Sequence, residues 1–270
     1  MRSGGVSIRD RLTRSLRNDG VFETFVKGVR LPFAMMANFR NELWLKWITR
    51  TKPASVVFGE IYKRNYWGNE SVSGFGSTLV NTAPMRRELI KMINELGVKS
   101  VYDAPCGDFN WMGEVVRMTG LIYRGDDIVP QLIEANSRKY TGSAVSFGVA
   151  DITSSSFPKA DLWICRDCFF HLSYSDICRA LENFVRSEIP RMLTTTYVPS
   201  DVCANRDIYT GDFRMIDLFD EPFSFPREVT YRIDDTPQGD SPRELCLWTR
   251  EQIAHALPRF KSVLTTDASI

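Results

Sequence analysis

Three aspartates follow three successive apolar stretches of the sequence, and a histidine follows a fourth. The aspartates are Asp103, Asp127 and Asp151, and the histidine is His171. Carboxylates accept hydrogen bonds from hydroxyl groups and attract cations, and an imidazole can take the proton from a reacting hydroxyl. One aspartate alone is common in turns for local reasons, but three in this order favour a single site for a polar ligand.

The elements that must position these residues are predicted strands that alternate with helices. The four apolar stretches lie at about 101–103, 121–128, 144–152 and 160–168, and further strands are predicted at 191–197, 228–233 and 244–248, the last two as a hairpin. In an open parallel sheet, the carboxyl ends of the strands share one edge, where nucleotides bind. The sequence therefore predicts an α/β fold with seven strands, mostly parallel, and helices on both faces.

The turn after the first strand limits the class of ligand that the site can bind. Its sequence is Asp103-Ala-Pro-Cys-Gly-Asp-Phe-Asn-Trp111. It predicts a helix that opens at Asp108, and it holds one glycine, Gly107, whereas a dinucleotide site uses the pattern G-x-G-x-x-G. A pyrophosphate would also meet the carboxylates of Asp103 and Asp108, which repel it. The turn therefore favours a ligand with a cationic end, such as the ammonium and sulfonium of S-adenosylmethionine.

These motifs resemble those of the class I S-adenosylmethionine-dependent methyltransferases, in which an acid and a small-residue turn follow strand one. The variant D-A-P-C-G-D-F-x-W-M is similar to that of bacterial enzymes that modify surface glycans or small molecules. The resemblance implies a Rossmann-like fold, S-adenosylmethionine as cofactor, Asp127 at the ribose hydroxyls with Asp126 able to share the task, and Asp151 at the adenine amino group. The cofactor-binding residues predicted in this way are Asp103, Ala104, Pro105, Cys106, Gly107, Asp108, Trp111, Asp126, Asp127, Ile128, Asp151, Ile152, Arg166 and Asp167.

Methyl transfer to an alcohol calls for a base within hydrogen-bond reach of the hydroxyl. Of the two histidines, His171 follows the fourth strand at the substrate edge, whereas His255 lies in a late helix and is typical of a surface or packing residue. We expect His171 to be the catalytic base, with Asp167 as its orienting partner or as the alternative base. The alternatives are that His171 caps the next helix and that transfer proceeds by proximity alone.

Two polar segments are candidates for acceptor binding. Residues 66–77, Tyr-Trp-Gly-Asn-Glu-Ser-Val-Ser-Gly-Phe-Gly-Ser, predict a mobile lid that excludes water, or a flexible linker. An insertion at about 199–227 carries polar and aromatic side chains that suit sugar hydroxyls, or is an ordinary surface loop. The predicted substrate residues are Tyr66, Trp67, Ser73, Ser77, Tyr197, Asn205, Arg206 and Asp212.

The composition limits the classes of protein to which the chain can belong. The 270 residues are 43% hydrophobic, which supplies a buried core, and the net charge of +1 disfavours a nucleic-acid partner. Cys165 and Cys168 have the C-x-x-C form, but no second pair of ligands is close, so we predict buried thiols and no metal. Six scattered cysteines and no secretory signal indicate a reducing cytoplasm.

The N-terminal part of the chain is basic. Residues 1–53 hold eleven Lys and Arg against four Asp and Glu, with short amphipathic pieces at 31–39 and 43–48 and no apolar run long enough to span a membrane. A helical cap packed on the catalytic domain is favoured, and peripheral contact with anionic lipid is the alternative. The predicted organisation is a basic cap and lid over residues 1–80, then a cofactor-binding domain over 81–270.

The function predicted from the sequence is O-methylation of a sugar or of a related small polar acceptor by an S-adenosylmethionine-dependent enzyme. Two alternatives remain. A noncatalytic S-adenosylmethionine-binding regulator would keep Asp103 and Asp127 and tolerate loss of His171. A nicotinamide-dependent oxidoreductase would carry more glycines at 104–109 than this sequence has.

Overall fold

The computed structural model describes residues 40–68, 70–198 and 205–267, in which strands and helices alternate along most of the chain. The helices are α1 (residues 40–51), α2 (Ala54–Lys63), α3 (Leu79–Glu95), α4 (Met112–Thr119), α5 (Pro130–Tyr140), α6 (Tyr174–Arg186) and α7 (Arg250–Asp267). The strands are β1 (Ser100–Asp103), β2 (Ile122–Asp127), β3 (Val145–Val149), β4 (Leu162–Cys165), β5 (Arg191–Tyr197), β6 (Arg232–Asp234) and β7 (Arg243–Thr249). Short 3-10 turns at Phe75–Ser77 and Phe169–His171 precede α3 and α6.

The seven strands form one sheet in the order β3-β2-β1-β4-β5-β7-β6. The pairs among β1 to β5 are parallel, whereas β7 runs antiparallel to both β5 and β6. The predicted Rossmann-like, mostly parallel sheet and its closing hairpin are therefore confirmed. The strand order reverses between β1 and β4, and such a switch point opens a crevice at the carboxyl ends of the strands.

The sheet is covered by helices on both faces. Alternate residues of β4 point in opposite directions, because successive side chains of a strand alternate. Leu162 and Ile164 pack into a core with α3 and α4, whereas Trp163 and Cys165 pack into a second core with α6 and α7. Burial on both faces explains why the central strands are continuous apolar runs.

Capping side chains mark the starts of α3, α6 and α7. Ser173 Oγ accepts a hydrogen bond from the Asp176 backbone N–H (3.2 Å) at the start of α6. Thr249 Oγ1 accepts from the Gln252 backbone N–H (3.2 Å), and the Gln252 side chain accepts from the Thr249 N–H (2.8 Å), which forms a capping box at the start of α7. α3 begins at Leu79, because the Thr78 side chain caps it by accepting a hydrogen bond from the Asn81 N–H.

The chain forms two compact units, one that ends at Arg50 and one that begins at Thr51. The predicted amphipathic piece at 43–48 is helical, as part of α1, whereas the piece at 31–39 lies outside the described residues. Residues 199–204 of the predicted insertion also lie outside them. Among the helices of the described ranges, none has the length and apolarity that a bilayer crossing requires.

Candidate active site

A cavity of about 550 Å³ opens at the carboxyl ends of β1 to β4. Its volume lies in the range of small-molecule and cofactor sites, about 300–1,000 Å³. Asp103, Asp127 and Asp151 all line it, and His171 lies in the same wall. The structure therefore brings together the three aspartates and the histidine that the sequence singled out.

The loop after β1 shapes the floor of the cavity. Pro105, Cys106, Gly107 and Asp108 line it, but the expected helix start at Asp108 is wrong, because α4 begins at Met112. Gly107 and Phe109 both have positive φ (54° and 58°), which bends the chain away from a helical path. No helix N-terminus is therefore presented by residues 108–111, and the cavity relies on side chains and loop amides.

Asp103 is a buried carboxylate at the end of β1, 2% exposed. The Tyr123 hydroxyl donates to its Oδ2 (2.7 Å), and within the described residues no Lys, Arg or His nitrogen lies at ion-pair distance from it. Burial raises the pKa of Asp103 to about 7, although Tyr123 and Arg166 act to lower it. Such a carboxylate is electrostatically suited to a cationic ligand group.

Asp127 ends β2 and reaches the same cavity. It accepts the backbone N–H groups of Gly107 (3.2 Å, at Oδ2) and Val129 (3.1 Å, at Oδ1). Burial raises the pKa of Asp127 to about 6, against the lowering effect of these amides. Each carboxylate oxygen keeps a second lone pair with which it can accept a hydroxyl group.

Asp126 and Ala104 do not line the cavity, although both were predicted for cofactor binding. Because side chains alternate along β2, Asp126 points away from Asp127, and it accepts the Arg124 guanidinium at 2.6 Å. Ala104 is fully buried, and its carbonyl accepts the indole N–H of Trp163 (3.0 Å). Both residues support the sheet edge from outside the cavity.

The third side of the cavity follows β3, which ends two residues before Asp151. Asp151 Oδ1 accepts both the backbone N–H and the hydroxyl of Thr153 (each 2.8 Å), which fixes the turn. Ile128, Leu132 and Ile152 line the cavity with it. Apolar side chains beside one carboxylate form a surface suited to a flat ring that carries a polar edge.

Residues 70–77, here called the lid segment, close over the loop after β1. The Val72 N–H donates to Asp108 Oδ2 (3.0 Å), and the Asp108 N–H donates to Ser73 Oγ (3.2 Å). Asn110 Nδ2 donates to Glu70 Oε1 (2.9 Å) and to the Ser77 carbonyl (3.1 Å). Ser73 and Ser77, predicted for substrate binding, both line the cavity, and the segment is attached at several points along its length.

A buried cluster of two arginines and two aspartates underlies the lid segment; we call it the Arg–Asp cluster (Arg166, Asp167, Asp235, Arg243). Arg166 donates to both oxygens of Asp235 (2.9 Å each) and to the Gly76 carbonyl (2.9 Å). Arg243 Nη2 donates to Asp167 Oδ2 (3.0 Å). Burial acts to raise the pKa of Asp167, but the two guanidinium groups outweigh it and hold that pKa below its usual value.

His171 is half-buried in the cavity wall. Its Nδ1 lies 2.9 Å from the Asp212 carbonyl, which can only accept, so the proton resides on Nδ1 and the lone pair on Nε2. Burial lowers the pKa of His171 from its ordinary value, which keeps the ring neutral near pH 7. The predicted orienting role of Asp167 is wrong, because the Asp212 carbonyl holds Nδ1, while the Asp167 carboxylate accepts hydrogen bonds from Arg243 and from the Thr195 hydroxyl.

Only some of the residues predicted to bind the acceptor line the cavity. Trp67 lines the cavity with Ser73 and Ser77, whereas Tyr66 and Tyr197 do not. In the insertion, Asn205 Nδ2 donates to the carbonyls of Asp217 and Glu221 (2.7 Å each) and Arg206 is exposed, so both lie outside the cavity lining. Asp212 acts through its backbone carbonyl on His171, and its side chain is not among the lining groups.

The described part of the insertion packs into the hydrophobic core, unlike an ordinary surface loop. Its side chains Ile216, Leu218, Phe223 and Phe225 are buried in the core that contains α6 and α7. The N–H of Gly211 donates to the His171 carbonyl (2.7 Å), which ties the insertion to the turn after β4. The described part of the insertion therefore fixes the position of the histidine.

Several cavity residues were missed by the sequence analysis. Ala54, Phe58 and Tyr62 lie at i, i+4 and i+8 of α2 and form one lining face, a periodicity that was visible in the sequence. Arg243 begins β7, one residue before the predicted strand. Its inward-facing position in a β-rich stretch was the available signal.

The sequence matches no protein-family model and no curated protein. Among solved structures, the fold is similar to that of magnesium protoporphyrin IX methyltransferase (ChlM) from Synechocystis PCC 6803 with bound SAM, with TM-score 0.53 and 12% identity over 73% of this chain and 97% of that one. The S-adenosylmethionine-dependent methyltransferase SibL matches with TM-score 0.48 and 16% identity over 63% of this chain and 55% of that one. Human N-acetylserotonin methyltransferase in complex with SAM matches with TM-score 0.47 and 12% identity over 62% and 51%.

This chain spans about half the length of SibL and of N-acetylserotonin methyltransferase. The similarity to ChlM covers nearly all of that protein, and at 12% identity it concerns the fold. The seven-stranded, Rossmann-like fold of this chain is therefore similar to the fold of ChlM.

Proposed function

We propose that this chain is an S-adenosylmethionine-dependent methyltransferase that acts on a hydroxyl group. The observation that carries the proposal is the convergence of Asp103, Asp127 and Asp151 on one cavity beside the Nε2 lone pair of His171. S-adenosylmethionine supplies, when bound, a methyl group on a cationic sulfur that a nucleophile can attack. No residue of the chain needs to form a covalent bond for such a transfer.

The donor set of the cavity fits this cofactor. Asp103 is buried without a cationic partner among the described residues, so it suits the ammonium of the amino-acid end. Asp127 offers two oxygens, each already oriented by a backbone amide, to the two ribose hydroxyls. Asp151 lies beside Ile128 and Ile152, where an adenine would find apolar faces and an acceptor for its amino group.

The remaining residues would orient the acceptor and exclude water. His171 Nε2 would hold the proton that leaves the acceptor hydroxyl, because the Asp212 carbonyl fixes the other ring nitrogen as a donor. The lid segment would shield the cavity through its bonds to Asp108 and Asn110. A sugar hydroxyl, predicted from the sequence, is one acceptor of this kind, although Asn205 and Arg206, which suggested it, lie outside the cavity lining.

Ligand-induced stabilisation tests the cofactor assignment. We expect S-adenosylmethionine and S-adenosylhomocysteine to raise the melting temperature and NAD to leave it unchanged, because a ligand that binds the folded state alone stabilises it by mass action, about 2.7 kcal/mol at 100 times its Kd. Asp127→Asn should abolish the shift. Asp126→Asn, which changes the neighbouring acid outside the cavity, is the matched control and should retain it.

A shift with NAD alone would refute the proposal in favour of a nicotinamide enzyme. A normal shift with S-adenosylmethionine, with no S-adenosylhomocysteine formed from any hydroxyl acceptor, would support the noncatalytic regulator instead. In that case His171→Ala would leave every measured property of the protein intact.

A further inference from the structure

The end of the cavity that contains His171 is lined by aromatic rings. The centroid of the His171 imidazole lies 4.7 Å from that of Phe170, 5.1 Å from that of Trp67 and 5.8 Å from that of Phe213. These three rings, here called the aromatic wall, come from three segments: the turn after β4, the turn after α2, and the insertion. Segments far apart in sequence thus place apolar ring surface around the imidazole of His171.

Two aromatic side chains of the cavity are exposed to an unusual degree. Phe213 is 52% exposed and Phe75, in the lid segment, is 49% exposed, and both line the cavity. Large exposed aromatic groups in a concave site indicate a surface that an apolar ligand covers. Rings in contact prefer offset or edge-to-face arrangements, which a flat ligand can adopt against such walls.

The polar groups at this end of the cavity already have partners. Arg243 is bonded to Asp167 (3.0 Å), and Asp176 accepts both Thr210 and Arg179. The Asp240 carboxylate accepts the Ser241 N–H (2.8 Å). A polyhydroxylated ligand would therefore have to share these groups with the partners that already orient them.

We propose that the methyl acceptor is an aryl hydroxyl, a flat aromatic ring held by the aromatic wall with its oxygen at His171 Nε2, rather than a sugar. This inference rests on the methyltransferase function proposed above. Trp67 and Phe213 are the specificity-determining residues, because they flank His171 from two different segments.

The acidity of the acceptor supports the same assignment. A phenolic hydroxyl has a pKa near 10, as in tyrosine, and is far more acidic than an aliphatic alcohol. Because the pKa of His171 is lowered by burial, this base is better matched to the more acidic hydroxyl. In the transfer, the phenolic proton passes to Nε2, the O–C bond forms as the C–S bond breaks with its electron pair left on sulfur, and the proton then leaves to solvent.

Binding of three ring compounds to the protein saturated with S-adenosylhomocysteine tests the proposal. The probes are catechol, cis-1,2-cyclohexanediol, which keeps the ring size and the two hydroxyls but not the flat ring, and methyl α-glucopyranoside. We expect catechol to bind at least about tenfold more tightly than the other two by calorimetry, and to yield S-adenosylhomocysteine when S-adenosylmethionine is supplied. Equal affinities, or turnover of the glucoside without turnover of catechol, would overturn the proposal.

Variants of the aromatic wall separate this proposal from the cofactor assignment. Phe213→Ala and Trp67→Leu should weaken catechol binding about fivefold or more and leave the affinity for S-adenosylhomocysteine unchanged. Tyr209→Ala, an exposed aromatic residue of the same insertion outside the cavity lining, is the matched control and should change neither. If the unaltered protein does not bind S-adenosylhomocysteine, the methyltransferase function itself is refuted. If it binds S-adenosylhomocysteine but shows no preference for catechol, the acceptor class alone is refuted.

Discussion

Asp103 shows at the level of one residue how burial changes the titration of a carboxyl group in the site. Its pKa is about 7 because the carboxyl group is buried, whereas an unfolded chain gives about 3.8. An acid whose pKa is raised on folding is most favourable to the folded state below pH 3.8, and that contribution is lost as the pH rises to about 7. The loss amounts to about 4 kcal/mol at 1.36 kcal/mol per pKa unit. A cationic ligand group would offset this cost.

The affinity for S-adenosylhomocysteine should therefore depend on pH. Below about pH 7, Asp103 must release a proton before it pairs with an ammonium, so the Kd should decrease by up to about tenfold per unit as the pH rises from 5 to 7, and level off above. Asp103→Asn should bind about tenfold more weakly at pH 8, because a charge-assisted hydrogen bond is lost. Calorimetry from pH 5 to 8.5 measures both effects.

In the Asp103→Asn protein, Asp127 still titrates, with a pKa of about 6. The Kd should therefore still depend on pH, but less strongly and around a pH about one unit lower than in the unaltered protein. Asp126→Asn should follow the unaltered protein at every pH, since this carboxylate is paired with Arg124 outside the cavity. An identical slope in the Asp103→Asn and unaltered proteins would show that Asp103 does not meet the cation.

The lid segment and the loop after β1 act together at the level of elements. Gly107 has φ of +54°, and a Cβ at this position would lie 2.3 Å from Ser73 Oγ. The glycine is therefore required twice, once by its backbone conformation and once by the close approach of the lid segment.

Gly107→Ala should loosen the lid segment and weaken S-adenosylhomocysteine binding by at least about tenfold, a loss of 1.4 kcal/mol. The matched control is Gly120→Ala, at the end of α4, where φ is +67° and no atom lies within 4 Å of the added Cβ. Both variants carry a backbone cost of about 1–2 kcal/mol in thermal unfolding, but the control should bind normally. Equal affinity of the two variants for S-adenosylhomocysteine would indicate that Ser73 can move away from the added methyl group without weakening the site.

The start of α4 shows why element boundaries were harder to predict than element order. Phe109 takes a left-handed conformation that is uncommon for a bulky residue, and nothing local in the sequence demands it. The reason lies in tertiary contacts. The Phe109 ring packs against the rings of Tyr123 and Phe147 of two neighbouring strands, with centroid distances of 4.8 Å and 5.2 Å.

The Arg–Asp cluster joins distant parts of the whole molecule. Arg166 follows β4, Asp235 follows β6 and Arg243 begins β7, so the antiparallel hairpin is tied to the parallel half of the sheet and to the lid segment. Removal of one buried partner leaves an uncompensated charge. We therefore expect Asp235→Ala to lower the free energy of unfolding by about 3–5 kcal/mol in urea denaturation.

Asp235→Asn, which keeps an acceptor oxygen, should lose less stability than Asp235→Ala. Glu188→Ala is the comparison at the surface, because Glu188 and its partner Lys159 are largely exposed and such pairs contribute little. A small loss for Asp235→Ala, similar to that for Glu188→Ala, would mean that the cluster does not hold the hairpin in place.

Sequence reasoning succeeded where a local pattern and one topological rule were sufficient. Asp103, Asp127 and Asp151 could be predicted as neighbours, because each follows an apolar strand and parallel strands end at a common edge. The Nδ1 partner of His171 could not, since Asp212 lies 41 positions away in a segment without periodicity. Arg166 and Asp235 are 69 positions apart, and their pairing depends on the sheet order, which the sequence does not show.

The insertion at about 199–227 provides Phe213 and the Asp212 carbonyl, whereas the carboxylates belong to the strand ends. In the proposed function, recognition of the donor and of the acceptor is therefore encoded in separate stretches of the polypeptide. Under the proposed function, a change in the length or composition of the insertion would alter acceptor specificity without rebuilding the strand ends, so one scaffold could be adapted to new acceptors by exchange of a single segment.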